Sequence, residues 1–95
     1  MNNLHPIRDY IVPGKRAHLV GIGGVSMAPL AEVLHGKGMT ITGSDMHESH
    51  VVDHLRELGI PVTIGHWPEN VKGADLVIRT AAVHDENPEI AAAHA

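Results

Sequence analysis

Apolar residues recur along this chain in two alternating patterns, as short unbroken runs and at helical spacings. The unbroken runs predict four strands, over residues 17–22, 39–43, 60–64 and 75–78. Between the first three runs, apolar residues three and four positions apart predict two helices, the first ending near Gly36 and the second at Gly59. A third predicted helix starts at residues 87–89, where asparagine is the cap, proline takes the first helical position and glutamate lies in the first turn.

This alternation of strands and helices is typical of a parallel sheet with right-handed crossovers. The first run is apolar at nearly every position, which suits a central strand covered on both faces. We therefore predict an α/β, Rossmann-like three-layer domain with a mainly parallel sheet over residues 17–95, preceded by an N-terminal arm over residues 1–16. Strand 1 should be central, with strand 4 on one side of it and strands 2 and 3 on the other. The crevice between strands 1 and 4 is then the default ligand site.

The first predicted strand runs directly into a glycine-rich turn, residues 21–27, that opens the first helix. In this context glycines permit a tight turn and let the main chain approach a phosphate closely. Pro29 places the cap of the helix at Ser26 or one residue earlier, because a proline fits only in the first turn, where amides have no intrahelical partner. Five residues are then expected to aim free amides at an anion: Gly23, Gly24, Val25, Ser26 and Met27. Replacing Gly23 by valine should abolish nucleotide binding and leave the domain folded.

Further candidates for this site follow the other predicted strands. Asp45 comes after strand 2, where dinucleotide sites carry an acid bonded to the ribose hydroxyls. Its alternative role is to cap the next helix, which Ser49 could do equally well. His66 lies in a loop after strand 3 and could reach a nucleoside. Thr80 follows strand 4 and would either face the glycine turn across the crevice or simply mark the exit of the strand into a loop.

Three of the nine histidines have a spacing that metal sites use. His47, His50 and His54 fall three and four residues apart, so they could share one face of a helix. The chain has no cysteine to support such a site. The absence of cysteine also excludes disulfides and thiolate metal sites. We favour an ordinary solvated helix face and predict no metal site.

Composition narrows the possible functions of the chain. With 95 residues it can form one domain, and 7 basic against 11 acidic side chains argue against nucleic acid as a partner. The N-terminus has no signal-peptide pattern, and the longest apolar stretch, residues 19–34, is shorter than the ~20 residues that span a bilayer. We expect a cytoplasmic location and no membrane partner. The sequence has no Walker loop and no recognisable nucleophile arrangement, so no catalytic residue is assigned.

Several segments together resemble the start of the MurC family of Mur ligases, the UDP-N-acetylmuramate–L-alanine ligases. These segments are residues 18–27, 30–34, 43–45, 58–60, 64–66, 74–78 and 87–90. The Gly-Ser-Asp tripeptide at 43–45 and the Gly-Gly-x-x-Met turn favour MurC over other Mur ligases. The resemblance extends from about residue 17 to the end of the chain, and the arm has no match.

The resemblance implies that this chain is the first of three domains of a peptidoglycan ligase. In such enzymes the first domain holds the UDP part of UDP-N-acetylmuramic acid. The central domain, which would carry the Walker loop, binds ATP and Mg²⁺ and phosphorylates the lactyl carboxylate. The third helps to position L-alanine, whose amine attacks the acyl phosphate. The fragment itself is expected to bind nucleotide without a cofactor and without catalysis, and to stop short of a final strand that the family's first domain usually carries.

Site residues are carried over from the family only where the motifs match. Residues 23–27 would supply amides to the diphosphate, and Ser44 and Asp45 would lie near the uridine ribose, with His66 and Thr80 as further candidates. Two alternatives stay open, an NAD-binding domain of an oxidoreductase and a regulatory module whose Rossmann shape binds nothing. Ser26 in the place of a third glycine disfavours the first of these.

Overall fold

The computed structural model describes residues 13–79 and 86–93. Its strands are β1 (Arg16–Val20), β2 (Thr40–Asp45), β3 (Val62–Ile64) and β4 (Leu76–Ile78). Its α-helices are α1 (Met27–Gly36), α2 (His50–Glu57) and α3 (Pro88–Ala93), and a short 3-10 helix spans Pro68–Val71. The order of elements is the predicted one. Within these ranges no helix is both long and apolar enough to cross a membrane.

The four strands form one parallel sheet in the order β3-β2-β1-β4, which confirms the predicted α/β topology. Ala17 of β1 pairs with Ile41 of β2 on one side and with Leu76 of β4 on the other. Strand β1 is therefore central, as its apolar run indicated. It begins at Arg16, one residue inside the range predicted as arm.

The main core lies between one face of the sheet and the two helices α1 and α2. Its members are aliphatic and fully or almost fully buried: Ala17, Leu19, Ile22, Ala31, Leu34, Ile41, Val52, Leu55 and Ile60. Ile22 crosses β2 at Gly43, where a Cβ atom would come within 2.6 Å of the Cβ of Ile22. The glycine thus lets the glycine-rich turn lie against the second strand.

The opposite face of the sheet is covered by α3 and the 3-10 helix. Because successive residues of a strand point to opposite faces, His18 of β1 and Ser44 of β2 lie on this second face. Both side chains are hydrogen-bonded to Glu89 of α3. The domain therefore has the three layers that the sequence predicted, although its second interface is polar where it meets Glu89.

Each strand differs from its predicted range by one or two residues at one end or both, and β1 ends at Val20, before the glycine-rich turn. The changes in β2 and β3 have local reasons. Strand β2 runs on to Asp45, so this residue ends the strand and does not follow it. Strand β3 begins only at Val62, because Pro61 has no N–H to donate to a ladder. The carbonyl of Pro61 still accepts from the amide of Gly43 at 3.0 Å, so the pairing with β2 starts at the proline.

Candidate functional site

The glycine-rich turn joins β1 to α1 and is fastened to the end of β2. Gly21 has a φ of 78°, in the left-handed region that favours glycine. The amides of Gly21 and Ile22 both donate to the carbonyl oxygen of Ser44, at 2.8 and 3.0 Å. The chain therefore reverses tightly at the carboxyl end of the sheet, where the glycine predicted a sharp turn.

Helix α1 begins where Pro29 required it to begin. Its N-cap residue is Ser26, so Pro29 is the third helical residue and its missing N–H interrupts no helical hydrogen bond. The Ser26 side chain makes no capping hydrogen bond. Backbone geometry and the proline, and not the serine hydroxyl, define this helix start.

The amides of the turn differ in whether they are free. Gly23 donates its amide to Oδ2 of Asp45 at 2.9 Å, and Gly24 donates to the carbonyl of Gly21 at 3.1 Å. The expectation of five free amides therefore needs correction, because the turn uses two of them internally. Three amides find no acceptor within residues 13–79 and 86–93: those of Val25, Ser26 and Met27.

Asp45 holds the glycine turn against the loop that follows β2. Besides the Gly23 amide, its carboxylate accepts from the next two amides of the chain, at 2.8 and 3.3 Å through Oδ1. The capping role considered for this residue belongs to Ser49, whose hydroxyl accepts from the amide of Val52 at 3.1 Å. Asp45 thus lies beside the candidate phosphate-binding turn and organises it.

Ser44 and Asp45 are neighbours in sequence, but they face opposite sides of the sheet. Ser44 is fully buried, and its hydroxyl donates to Oε1 of Glu89 at 2.6 Å. Nδ1 of His66 lies 3.0 Å from the same hydroxyl oxygen. The structure therefore brings Ser44 and His66 together, on the α3 side and away from Asp45. Thr80 lies outside the described residues.

A buried carboxylate, Glu89, lies at the centre of this second group. Nε2 of His18 is 2.8 Å from its Oε1, and the amide of Trp67 donates to its Oε2 at 3.0 Å. The side-chain amide of Asn70 donates to the same oxygen. Nδ1 of His18 in turn lies 2.8 Å from the hydroxyl of Thr42. One carboxylate thus links β1, β2, the 3-10 helix and α3.

The hydrogen bonds to Glu89 determine its charge. Burial by itself raises the pKa of a carboxyl group, but the bonds from His18, Ser44, Asn70 and the Trp67 amide outweigh it and lower the pKa to about 2. Glu89 is therefore ionised at neutral pH, where its oxygens can only accept hydrogen bonds.

Sequence reasoning missed this group, although the pattern carried a signal. Glu89 was predicted only as an acid in the first turn of a helix. His18 was counted within an apolar strand, and no partner was predicted for its polar ring. Thr42 and Ser44 alternate along β2, which puts both on the face that His18 shares. Three polar side chains on one covered face predict a polar partner on the covering helix.

An open groove of about 400 Å³ lies beside the glycine turn, between α1 and α2. Its lining includes Gly23, Gly24 and Val25 of the turn and Pro29 of α1. Val25 is 95% exposed, which is unusual for an aliphatic side chain. The turn therefore presents both unpaired amides and an apolar side chain to solvent.

The histidines of α2 line the far wall of this groove. His50 and His54 both face it, and Nε2 of His54 lies 3.6 Å from a carboxylate oxygen of Glu32. In the part of the chain that the structure describes, no three His, Asp or Glu side chains are grouped so that they could hold a metal ion.

These features define the class of the protein as a Rossmann-like α/β domain with a glycine turn at the start of its first helix. The chain belongs to the Mur ligase family. The family model described as Mur ligase family, catalytic domain, matches residues 16–95. This confirms the family that the sequence motifs indicated.

Relatives and solved structures agree with this assignment. The chain is 58% identical over 79 residues to UDP-N-acetylmuramate–L-alanine ligase of Legionella pneumophila strain Corby, an alignment that covers 83% of this chain and 17% of the relative. It is 52% identical over 75 residues to the ligase of the same name from Caldanaerobacter subterraneus, covering 79% and 16%. The chain thus spans about a sixth of the length of these curated relatives.

Solved structures of two ligases also superpose on this chain. The UDP-N-acetylmuramate–alanine ligase MurC of Thermotoga maritima superposes with a TM-score of 0.80 at 42% identity, covering 83% of this chain and 18% of that one. A murein peptide ligase of Psychrobacter arcticus superposes with a TM-score of 0.71 at 29% identity, covering 77% and 16%. These relatives are ligases, and they give no support to the oxidoreductase alternative.

Proposed function

We propose that this chain is the N-terminal domain that binds UDP-N-acetylmuramic acid in an ATP-dependent ligase joining L-alanine to that substrate during peptidoglycan synthesis. The relatives at 58% and 52% identity are named for this reaction. The match to MurC at a TM-score of 0.80 supports the same position in the longer protein.

The observation that carries the binding role is the set of free amides at the start of α1. The amides of Val25, Ser26 and Met27 have no acceptor in the described residues, and they lie at the positive end of a ten-residue helix. A helix N-terminus of this kind attracts anions through its amides and its dipole, worth about 0.3–1 kcal/mol per charge when exposed. A nucleoside diphosphate supplies such charge.

The remaining candidates suit the nucleoside end of the same ligand. Asp45 is half-buried beside the turn, and its carboxylate can accept from sugar hydroxyls if the ligand displaces one of its three amide donors. His66 follows the carboxyl end of β3 at Ile64, and its ring contacts Ser44 on the other face of the sheet. We propose that Asp45 and His66 both contact the uridine, and that Ser44 orients the His66 ring through its hydroxyl, 3.0 Å from Nδ1.

ATP, Mg²⁺ and L-alanine are assigned to the parts of the longer protein outside this chain. The sequence has no Walker loop, and the described residues hold no group of three potential metal ligands. The residues present therefore do not fit a nucleotide–metal centre, and no chemical step is assigned to them. The isolated chain is expected to bind without catalysis, and the whole enzyme is placed in the cytoplasm.

Calorimetric titration of the chain with UDP-N-acetylmuramic acid, UDP and NAD in parallel tests this proposal. We expect heat of binding from the two uridine compounds and none from NAD. Binding of NAD alone would overturn the proposal in favour of a dinucleotide site. No binding of any of the three would show that this chain does not hold the nucleotide without the rest of the enzyme.

A further inference from the structure

The buried group around Glu89 attaches α3 to the sheet and also connects Glu89, through Ser44, to His66. We propose that Glu89 is a positioning residue for the nucleotide site, which acts through Ser44 to hold His66 in its Nδ1–H tautomer and leaves Nε2 as a hydrogen-bond acceptor. We call the connected hydrogen bonds of Glu89, Ser44 and His66 the relay, and its existence is argued from the geometry alone. Only its consequence for ligand binding rests on the proposed function.

The first step is a count of protons at Glu89. The carboxylate is fully buried and accepts from three donors on other residues, the Ser44 hydroxyl, the Trp67 amide and the side-chain amide of Asn70. Its ionised oxygens have only lone pairs to offer a fourth neighbour, Nε2 of His18 at 2.8 Å. Nε2 of His18 must therefore carry a proton. The single proton of the Ser44 hydroxyl is also committed, because that oxygen lies 2.6 Å from Oε1 of Glu89. Ser44 is left with lone pairs alone for any other partner.

The second step transfers this constraint to His66. Its Nδ1 lies 3.0 Å from the Ser44 hydroxyl oxygen and 3.6 Å from Oε1 of Glu89. Both neighbours are acceptors for it, so Nδ1 must be the protonated nitrogen. In the neutral ring Nε2 then has a free lone pair. Without Glu89, the Ser44 proton would be free to rotate toward Nδ1, and the other tautomer would become possible.

The third step concerns the backbone on either side of His66. The amide of Gly65 donates to the carbonyl of Asp45 at 2.8 Å, and Gly65 has a φ of 107°, which favours glycine. The amide of Trp67 donates to Oε2 of Glu89. The Glu89 carboxylate thus fixes His66 in two ways. Its Oε1 acts on the ring through Ser44, and its Oε2 binds the backbone amide of the next residue, Trp67.

The consequence is a defined recognition property for a side chain that is only 11% exposed. An Nε2 acceptor binds a donor, such as a ribose hydroxyl or a ring N–H of a nucleobase, whereas an Nε2–H tautomer would bind an acceptor. Glu89, at the far side of the sheet from the glycine turn, therefore decides which kind of nucleoside group His66 can contact.

Nitrogen-detected histidine spectra of the ¹⁵N-labelled chain test the relay without any ligand. Protonated and bare ring nitrogens have widely different ¹⁵N shifts, so the tautomer of each ring is read directly. We expect His66 as Nδ1–H and His18 with a proton on Nε2. A wild-type His66 found as Nε2–H would overturn the proposal before any variant is made.

Three variants separate the relay from general stability. Glu89→Gln should release both His66 and His18. Ser44→Ala removes only the nearer acceptor of His66 Nδ1, at 3.0 Å, and His18 keeps its proton on Nε2. The matched control is Glu86→Gln, the same change at an exposed acid of the same segment, which should alter neither ring. If His66 keeps its tautomer in Glu89→Gln, with the amide spectrum of a folded chain, the relay is refuted.

Titration of the same variants with UDP tests the consequence for binding. Loss of one well-placed hydrogen bond predicts about 5- to 10-fold weaker binding in Glu89→Gln and Ser44→Ala, and no change in Glu86→Gln. Unchanged affinity together with a released His66 would overturn the positioning role. If the wild-type chain binds no UDP, nucleotide binding by this chain and the consequence drawn from it are both refuted, whereas the tautomer spectra still decide the relay.

Discussion

Neighbouring glycines of the turn differ in what a side chain would meet. A Cβ at Gly23 would lie 2.9 Å from Oδ2 of Asp45 and 3.2 Å from Cγ2 of the buried Val52. A Cβ at Gly24 would have the carbonyl oxygen of Gly21 as its nearest neighbour, at 3.4 Å. The expectation that valine at position 23 leaves the fold intact is therefore not supported by the packing. Gly24 is the better position for testing the turn.

We predict that Gly23→Ala destabilises the domain by about 1–3 kcal/mol, because it displaces Asp45 and presses on the core. Gly24→Ala should change stability by no more than about 0.5 kcal/mol and weaken UDP binding, because its methyl group stands beside the free amides. Urea unfolding and calorimetry measure the two effects. Equal stability of the two variants would contradict the packing argument, and unchanged UDP affinity in Gly24→Ala would place the site elsewhere.

At the scale of elements, helices α1 and α2 begin in different ways. The α2 helix has only eight residues and buries Val52 and Leu55, and the Ser49 hydroxyl caps it by accepting from Val52. The α1 helix has Ser26 at the equivalent position, but that hydroxyl makes no capping bond. The two serines thus form a natural pair for comparing a working cap with an idle one.

We expect Ser49→Ala to lower the free energy of unfolding by about 1 kcal/mol, the usual contribution of a side-chain cap. Ser26→Ala should change it by less than about 0.5 kcal/mol. Denaturant unfolding of both variants measures the difference. A larger loss of stability in Ser26→Ala than in Ser49→Ala would contradict this prediction, because α1 and not α2 would then depend on its serine cap.

The boundaries of these elements were predictable where they depend on nearby residues. Pro29 defined the start of α1, and Asn87 does bond the amide of Glu89 through its side chain at 2.9 Å, as its capping position predicted. The choice between Asp45 and Ser49 as the cap of α2 stayed open in the sequence. It was decided by where α2 begins, because His50 is its first residue and Ser49 its N-cap, whereas Asp45 is the last residue of β2 and accepts from the Gly23 amide.

At the scale of the whole molecule, the ionisation of Glu89 makes the free energy of unfolding of the domain depend on pH. Its pKa of about 2 lies below the ordinary 4.5, because hydrogen bonds favour the charged form despite burial. A depressed pKa stabilises the fold fully above about pH 4.5, and this stabilisation is lost as the pH falls through about 2. The titratable side chains that face it are His18 of β1 and His66 after β3.

The predicted size of this effect is about 3 kcal/mol, the free energy that corresponds to a pKa of about 2 in place of 4.5. Wild-type stability should exceed that of Glu89→Gln at pH 7, and the gap should narrow between pH 4.5 and 2. Urea unfolding of both chains at several pH values measures it. Parallel stability curves over that range would contradict the assignment of a strongly hydrogen-bonded carboxylate to Glu89.

The sequence by itself determined the order of elements and the start of α1, because these follow from periodicity, glycine and proline within a few residues. The fold class and the sheet order then followed from the alternation of strands and helices and the right-handed crossover rule. The tertiary structure alone decided which polar groups meet. His18 and Glu89 are 71 positions apart and become partners only when β1 pairs with β2 in register and α3 covers that face. The same pleat sends Ser44 to this buried group and Asp45 to the glycine turn, which separates two residues that sequence placed at one ribose.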